Sequence, residues 1–269
     1  MPMRTLLNHV EDTPDSKTVS SARFDKNGVP VYAVIITGKE DRLHFLRNAI
    51  ASFARQSYAN RYCIIVNDGD YKVGNCGLPE DRLLSVEIGN RKILGELRNE
   101  ALDHVPTDAV WVQWDDDDWH HPHLIENQLR YMVENNADAC LLRNQIKVSL
   151  AKNSAWEHRL PYRYFGFAGS IMMHHKPDIR YPAWPKKEDS EFLLRLLKIC
   201  KVIPWDNAIH YYLRFILPDS TSGRFHFKLF SRRRNQWQLD PFSFDYLKGI
   251  ESYYQFAGLN SSIVSPVNR

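Results

Sequence analysis

Four consecutive aspartates, Asp115 to Asp118, follow a short apolar run of Val110, Trp111, Val112 and Trp114. The run reads as a buried strand, with the acids at its carboxyl end. Four carboxylates in such a place repel one another, and the arrangement becomes favourable when a cation sits among them. The acidic turn is the expected site of a divalent ion, Mn2+ or Mg2+. Such an ion takes hard oxygen donors, keeps waters, and needs only one or two carboxylates beside phosphate oxygens. The metal in turn would hold a phosphate. The plainer reading is a solvated acidic loop that caps the helix after Pro122. Asp118 is expected to support the ligands from behind or to cap that helix.

Two further acidic stretches carry the same kind of choice. Asn67-Asp68-Gly69-Asp70 closes an apolar run, and Glu188-Asp189 stands just before a helical pattern. The first has an ordinary explanation as an Asp-Gly turn. The second has one as acids complementing a helix dipole.

The elements that must position these residues follow from hydrophobic period. Val29 to Ile36 is a continuous β-branched run and reads as a buried parallel strand. Thr37 to Asp41 is its turn, and a helix follows with Leu43, Leu46, Ile50 and Phe53 on one face. Tyr62 to Val66 and Leu83 to Ile88 are strands. Gly89 to Gly95 is a basic turn, Glu96 to His104 a helix, and Val110 to Trp114 the central strand. Then come a helix over Leu124 to Glu134, a strand over Ala139 to Val148, and an aromatic loop from Pro161 to Gly169. A short strand over Ser170 to Met173, a Pro-rich loop from Tyr181 to Pro185, and a helix from Ser190 to Cys200 complete the regular part. This alternation predicts an α/β fold with a parallel sheet. In such sheets ligands bind beyond the carboxyl ends of the strands. Thr37 to Asp41, Asn67 to Asp70 and Asp115 to Asp118 all gather at such ends.

The totals exclude several classes. A net charge of +3 over 269 residues makes no global case for nucleic acid. The four cysteines are scattered with no CxxC pair, which fits packed thiols in a reducing compartment. No signal peptide and no run of 18 apolar residues is present, so a soluble cytoplasmic protein is expected. Arg232, Arg233 and Arg234, beside Phe227, Phe230 and Trp237, read either as contact with an anionic membrane surface, a nucleic acid or donor phosphate, or as a solvated basic face.

Five pieces in order resemble the family 2 glycosyltransferases: VIITGKEDRLHFLRNAIASFARQSY, IIVNDGD, LGELRNEAL, VQWDDDDW and KKEDSEFLLRL. They are similar to the family's first strand and helix, its second strand end, its "G…ARN" segment, its "DxD" strand end and its "ED" motif. The resemblance covers about Val31 to Phe215 and implies the GT-A fold. That is a Rossmann-like, mostly parallel sheet flanked by helices, with a smaller mixed acceptor-side region. It divides the chain into a leader (1–28), a transferase domain (29–220) and an aromatic, basic C-terminal segment (221–269). Within the domain, 29–120 would bind the nucleotide-sugar and 121–220 the acceptor.

The resemblance also implies roles. Thr37, Asp68, Asp70, Lys92, Arg98, Asn99 and Asp116 would face the donor nucleotide. Asp68 would accept from a base N–H, and Arg98 would suit forked contact with phosphate or carbonyl oxygens. Asp115 and Asp117 would hold the metal. Asp189 would be the base that deprotonates the acceptor hydroxyl, with Glu188 as second candidate. Tyr162, Tyr164, Phe165, Phe167 and Trp184 could form an acceptor platform or belong to the core. Leu217 stands about where many members carry a His, which leaves a third protein ligand open. The expected activity is inverting, metal-dependent transfer from a nucleoside-diphosphate sugar, a UDP-sugar in the first instance. The acceptor could be a glycan, a lipid-linked intermediate, a protein or a modified nucleobase. The alternatives are a sugar-phosphate nucleotidyltransferase, for which Thr37 to Glu40 is too poor in glycine, and a non-catalytic module on the same scaffold.

Overall fold

The computed structural model describes residues 28–216 except 75–76, 90–91, 150–153 and 163. Most of the expected leader, Leu217, Arg232 to Arg234 and the expected C-terminal segment therefore lie outside the described residues.

The β-branched first run forms β1 (Val31–Thr37), whose residues are almost all buried. It lies between β2 (Arg61–Asn67) and β4 (Val110–Gln113), parallel to both, and β3 (Leu83–Glu87) extends the sheet beyond β2. On the other side of β4 come β9 (Met172–His174), β6 (Ala139–Leu142) and β10 (Val202–Trp205). Only β9 runs antiparallel in this seven-stranded sheet.

Both faces are covered, as continuous apolar strands demand. Leu46, Ile50 and Phe53 of α1 (Leu43–Ala54) and Ile125 and Leu129 of α3 (Leu124–Glu134) pack with Ala33, Ile35 and Val112. Leu97 and Ala101 of α2 (Leu94–Asp103) and Phe192 and Leu196 of α4 (Glu188–Ile199) pack with Val34, Ile64 and Trp111. No helix among the described residues is long and apolar enough to cross a membrane.

A second, four-stranded sheet takes β5 (Trp119–His120), β11 (Tyr212–Ile216), β7 (Asn144–Ser149) and β8 (Ser154–Arg159), in that order. The single strand expected over Ala139 to Val148 is thus two strands in two sheets. The chain switches at Arg143, where the backbone N–H bonds Trp205 O and the next side chain, Asn144, accepts from Ala208 N at 3.0 Å. The expected helix at Ser190 begins two residues earlier. Lys187 takes a left-handed conformation (φ 63°), so the chain turns sharply and Glu188 and Asp189 form the first turn of α4.

Candidate active site

Three strand ends converge. At the end of β1, Thr37 is buried, its hydroxyl lies 3.0 Å from Tyr71 Oη, and it also bonds Asp116. Thr37 O accepts from Asp68 N at 2.9 Å, which joins the first end to the second. The turn after β2 is cinched by Asn67. Its amide donates to Tyr71 O and to Glu87 Oε2, and its Oδ1 accepts from Gly69 N. A Cβ on Gly69 would lie 2.5 Å from the Tyr71 ring and 2.9 Å from Gly38 O, so glycine is required here by contact. Asp68 Oδ1 accepts from Lys92 N at 3.2 Å, while Asp70 is exposed at the turn's far side. The Lys92 ammonium pairs with Glu100 at 2.7 Å.

The acidic turn after β4 is divided by what holds each carboxylate. Arg42, at the end of a 3-10 turn (Glu40–Arg42) following β1, donates to Asp116 Oδ1 at 3.1 Å and to Asp117 Oδ2 at 2.5 Å. Asp115 Oδ1 accepts from Gln113 Nε2 at 2.9 Å. Asp118 is buried and faces away: its two oxygens accept from Tyr212 Oη at 2.5 Å and from Phe215 N at 2.9 Å. It therefore fastens the acidic turn to β11, and does not cap α3. Arg214 lies among these acids. Burial opposes its charge, but Asp118, Asp115 and Asp117 hold it protonated beyond an ordinary arginine.

Burial and the neighbouring Asp117 push the Asp116 carboxyl up to about 7, against the pull of Arg42. Burial likewise raises Asp117 and Asp118. The raised carboxyls mark a turn in which burial and mutual repulsion outweigh the pull of the nearby cations, surroundings that a divalent cation relieves. Among the described residues no group of three or more His, Cys, Asp or Glu side chains is placed to hold a metal unaided. The fit is of another kind: Asp115 and Asp117 are a carboxylate pair that phosphate oxygens and waters would complete, as Mg2+ and Mn2+ sites allow. Gly169 faces this group, and a Cβ there would lie 3.3 Å from Asp115 Oδ2 and 3.8 Å from Arg214.

The other wall begins with α4. Glu188 is buried and its Oε1 lies 3.4 Å from Arg98, a contact that partly offsets the upward push of burial on its carboxyl. Asp189 is half-buried and its Oδ1 accepts from Ser190 N. Arg98 also bonds Gln113 Oε1 at 2.9 Å and stands over the Tyr181 ring, which stacks on Phe192. Asn99 is turned elsewhere: its amide donates to Tyr181 O and accepts from Tyr181 N, both at 2.9 Å. Arg98 and Asn99 thus sit between the two halves of the site and tie the segment before α4 to α2. Tyr162, Tyr164, Phe165 and Trp184 are exposed, whereas Phe167 is half-buried beside Lys147.

The structure therefore groups Thr37, Asp68, Asp115 to Asp117, Arg98, Glu188 and Asp189 around one region, with Asp118 turned away behind the acidic turn. Lys92 and Asn99 are engaged by other partners, and Asp70 stands at the exposed edge. Sequence reasoning passed over Arg42, Gln113 and Arg214. Gln113 had a usable signal, a lone amide in the otherwise apolar VWVQW run, since a buried amide needs partners. Arg214 carried the same signal as a charge within YLRF.

A family model for glycosyl transferase family 2 matches residues 32–185. Among solved structures, S. aureus TarS matches with 14% identity and a TM-score of 0.55, over 85% of this chain and 44% of that one. TarS 1–349 in complex with UDP-GlcNAc matches with 13% identity and a TM-score of 0.56, over 84% and 73%. The mannosyltransferase PcManGT from Pyrobaculum calidifontis, in complex with GDP-Man and Mn2+, matches with 13% identity and a TM-score of 0.55, over 88% and 72%. At these identities the likeness is one of fold. The chain spans less than half of the longer TarS chain. No curated protein matches it in sequence.

Proposed function

The chain belongs to glycosyl transferase family 2, and from that premise we propose that it moves a sugar, with inversion, from a nucleoside-diphosphate sugar to an acceptor hydroxyl. The observation that carries this reading is the meeting of an under-compensated acidic turn with the carboxylates of α4 across Arg98 and Gln113. Residues 29–120 form the donor half and 121–220 the acceptor half.

On the donor side, Asp68 accepts from the base N–H, Thr37 and Asp70 face the base and ribose, and Asp116 faces the donor. Arg98, Asn99 and Lys92 border this half. Asp115 and Asp117, together with the donor phosphates, would hold a divalent cation, which would supply positive charge against that growing on the leaving diphosphate. On the acceptor side, Asp189 takes the hydroxyl proton. The acceptor oxygen bonds to the anomeric carbon as the bond to phosphate breaks, and that electron pair leaves on the diphosphate. Glu188, turned inward to Arg98, is less available as the base than Asp189. Exposed Trp184, Tyr164 and Phe165 suit an acceptor with a sugar ring or another stacking face. Peripheral contact of a cytoplasmic protein with anionic membrane through Arg232, Arg233 and Arg234 belongs to the same reading. Sedimentation with phosphatidylserine vesicles tests that contact, and an unbound protein would remove it.

The test is thermal unfolding with UDP, GDP, CDP or ADP, each with Mn2+, Mg2+ or chelator. A ligand at a hundred times its Kd stabilises by about 2.7 kcal/mol. A metal-dependent shift for one base, UDP first, supports the donor site. Asp117→Ala is expected to abolish the metal dependence, and Asp68→Ala to weaken nucleotide binding while sparing the metal. No shift with any nucleotide would overturn the reading.

A further inference from the structure

Gln113 ends β4 as a buried amide after three apolar residues. Both ends of its carboxamide are engaged. Nε2 donates to Asp115 Oδ1 at 2.9 Å, and Oε1 accepts from one terminal nitrogen of Arg98 at 2.9 Å. The other terminal nitrogen of Arg98 stands 3.4 Å from Glu188 Oε1. Tyr181 Oη lies 3.4 Å from the same Gln113 oxygen. A continuous polar line therefore runs from Asp115 through Gln113 and Arg98 to the first residue of α4. An amide suits its place, because one end must donate to a carboxylate and the other accept from a guanidinium. Gln113, Arg98 and Glu188 are buried, so leaving one of these three unpaired is costly.

We propose that Gln113 is a positioning residue. By holding Asp115 and Arg98 at once, it sets the donor-side carboxylate and, through Glu188, the first turn of α4 that carries Asp189. The inference rests on the glycosyl-transfer reading above. A general base works only within hydrogen-bond reach of its proton, and small misplacements of reacting groups lower rates steeply. Gln113 thus makes the geometry of one half of the site depend on the other.

The test is a double-variant cycle of Gln113→Met and Glu188→Gln. Two readouts serve: affinity for UDP and GDP with Mn2+, and release of nucleoside diphosphate from UDP-N-acetylglucosamine or GDP-mannose. Gln113→Met is expected to lower kcat about tenfold or more, and adding Glu188→Gln to lower it little further, because the first breaks the line and the second only removes a charge from its far end. In affinity, Glu188→Gln is expected to alter the nucleotide Kd in the parent and not in the Gln113→Met background. Gln113→Glu separates positioning from folding. Its carboxylate still accepts from Arg98 but repels Asp115, so kcat should exceed that of Gln113→Met while nucleotide Kd rises. Independent, multiplying losses, or equal kcat losses for Met and Glu, would overturn the proposal. A parent protein that binds neither nucleotide would instead bring down the glycosyl-transfer reading, and this inference with it. A parent that binds nucleotide and is indifferent to Gln113 would remove this inference alone.

Discussion

Tyr212 Oη donates to Asp118 Oδ2 at 2.5 Å inside the protein, joining the last acid of the turn to the central strand pair of the smaller sheet. The other Asp118 oxygen accepts from Phe215 N, so one carboxylate fixes two points of β11. The site's acidic turn is positioned by one of its own members.

Asp118→Ala should therefore act on stability more than on any ligand. It removes the acceptor of a buried hydroxyl and of the Phe215 backbone N–H and takes from Arg214 the acid that most favours its charge. Unpaired buried groups cost about 1–3 kcal/mol each, so a loss of roughly 3 kcal/mol is expected in urea unfolding. Tyr212→Phe removes one donor and should lose about 1 kcal/mol. An Asp118→Ala protein as stable as its parent would show that the carboxylate is no fastening.

His120 offers a pH test. Its ring is stacked on Trp114 at 3.7 Å, and neither imidazole nitrogen has a hydrogen-bond partner among the described residues. Burial pushes its pKa down from 6.5 to about 3. Below 6.5 the unfolded chain takes up a proton that the folded chain refuses, so folding stability falls on acidification by about 1.4 kcal/mol per pH unit until the folded pKa is reached. Asp116, raised to about 7, works in the opposite sense across part of that range. The comparison of parent with His120→Phe isolates the histidine. The variant's relative stability should rise steadily from pH 6.5 to 4, and a difference that does not vary with pH would refute the assignment.

Gly95→Ala sets two effects of opposite sign against each other. Within a helix, alanine is favoured over glycine by about 1 kcal/mol. A Cβ on Gly95, however, would lie 2.0 Å from Pro182 O, a backbone atom that also accepts from Trp184 N at 2.7 Å. The contact involves backbone on both sides, so the segment carrying Trp184 must move away from α2. Net destabilisation of roughly 2 kcal/mol is expected, with quenching of Trp184 fluorescence by acrylamide increased. A more stable variant would mean that the segment yields freely.

The order of strands and helices from β1 to β4 and the helices after them was legible because period and apolar content are summed over many residues. The helix at Leu124–Glu134 has the bounds its periodicity implied. The break at Arg143 was not, because it depends on Asn144 reaching Ala208 and on a strand at Val202–Trp205. The smaller sheet was also hidden. Trp119–His120 is two residues long and is a strand only because Tyr212 and Leu213 lie alongside. In the candidate site the acids were legible as acids. What divides their labour was not, since Arg42 and Asp117 stand 75 positions apart and meet at 2.5 Å.

That pair supplies the last prediction. Arg42 neutralises part of the charge on Asp116 and Asp117, and removing it takes the shared guanidinium partner from two half-buried neighbouring carboxylates. Arg42→Gln should unfold at a lower temperature than the parent in chelator. Loss of one partner from a buried pair costs about 3–5 kcal/mol when the other charge stays, and less here because Asp116 can take up a proton. A divalent cation then faces a more negative site. Mn2+ should raise the unfolding temperature of Arg42→Gln by more than it raises that of the parent. Adding Asp117→Ala should cancel the extra rise, since it removes the proposed ligand. The measurement is thermal unfolding of the three proteins at several Mn2+ concentrations without nucleotide. An equal Mn2+ response in parent and Arg42→Gln would show that the guanidinium and the metal do not share these carboxylates. The proposed ligand pair would then have to be sought elsewhere.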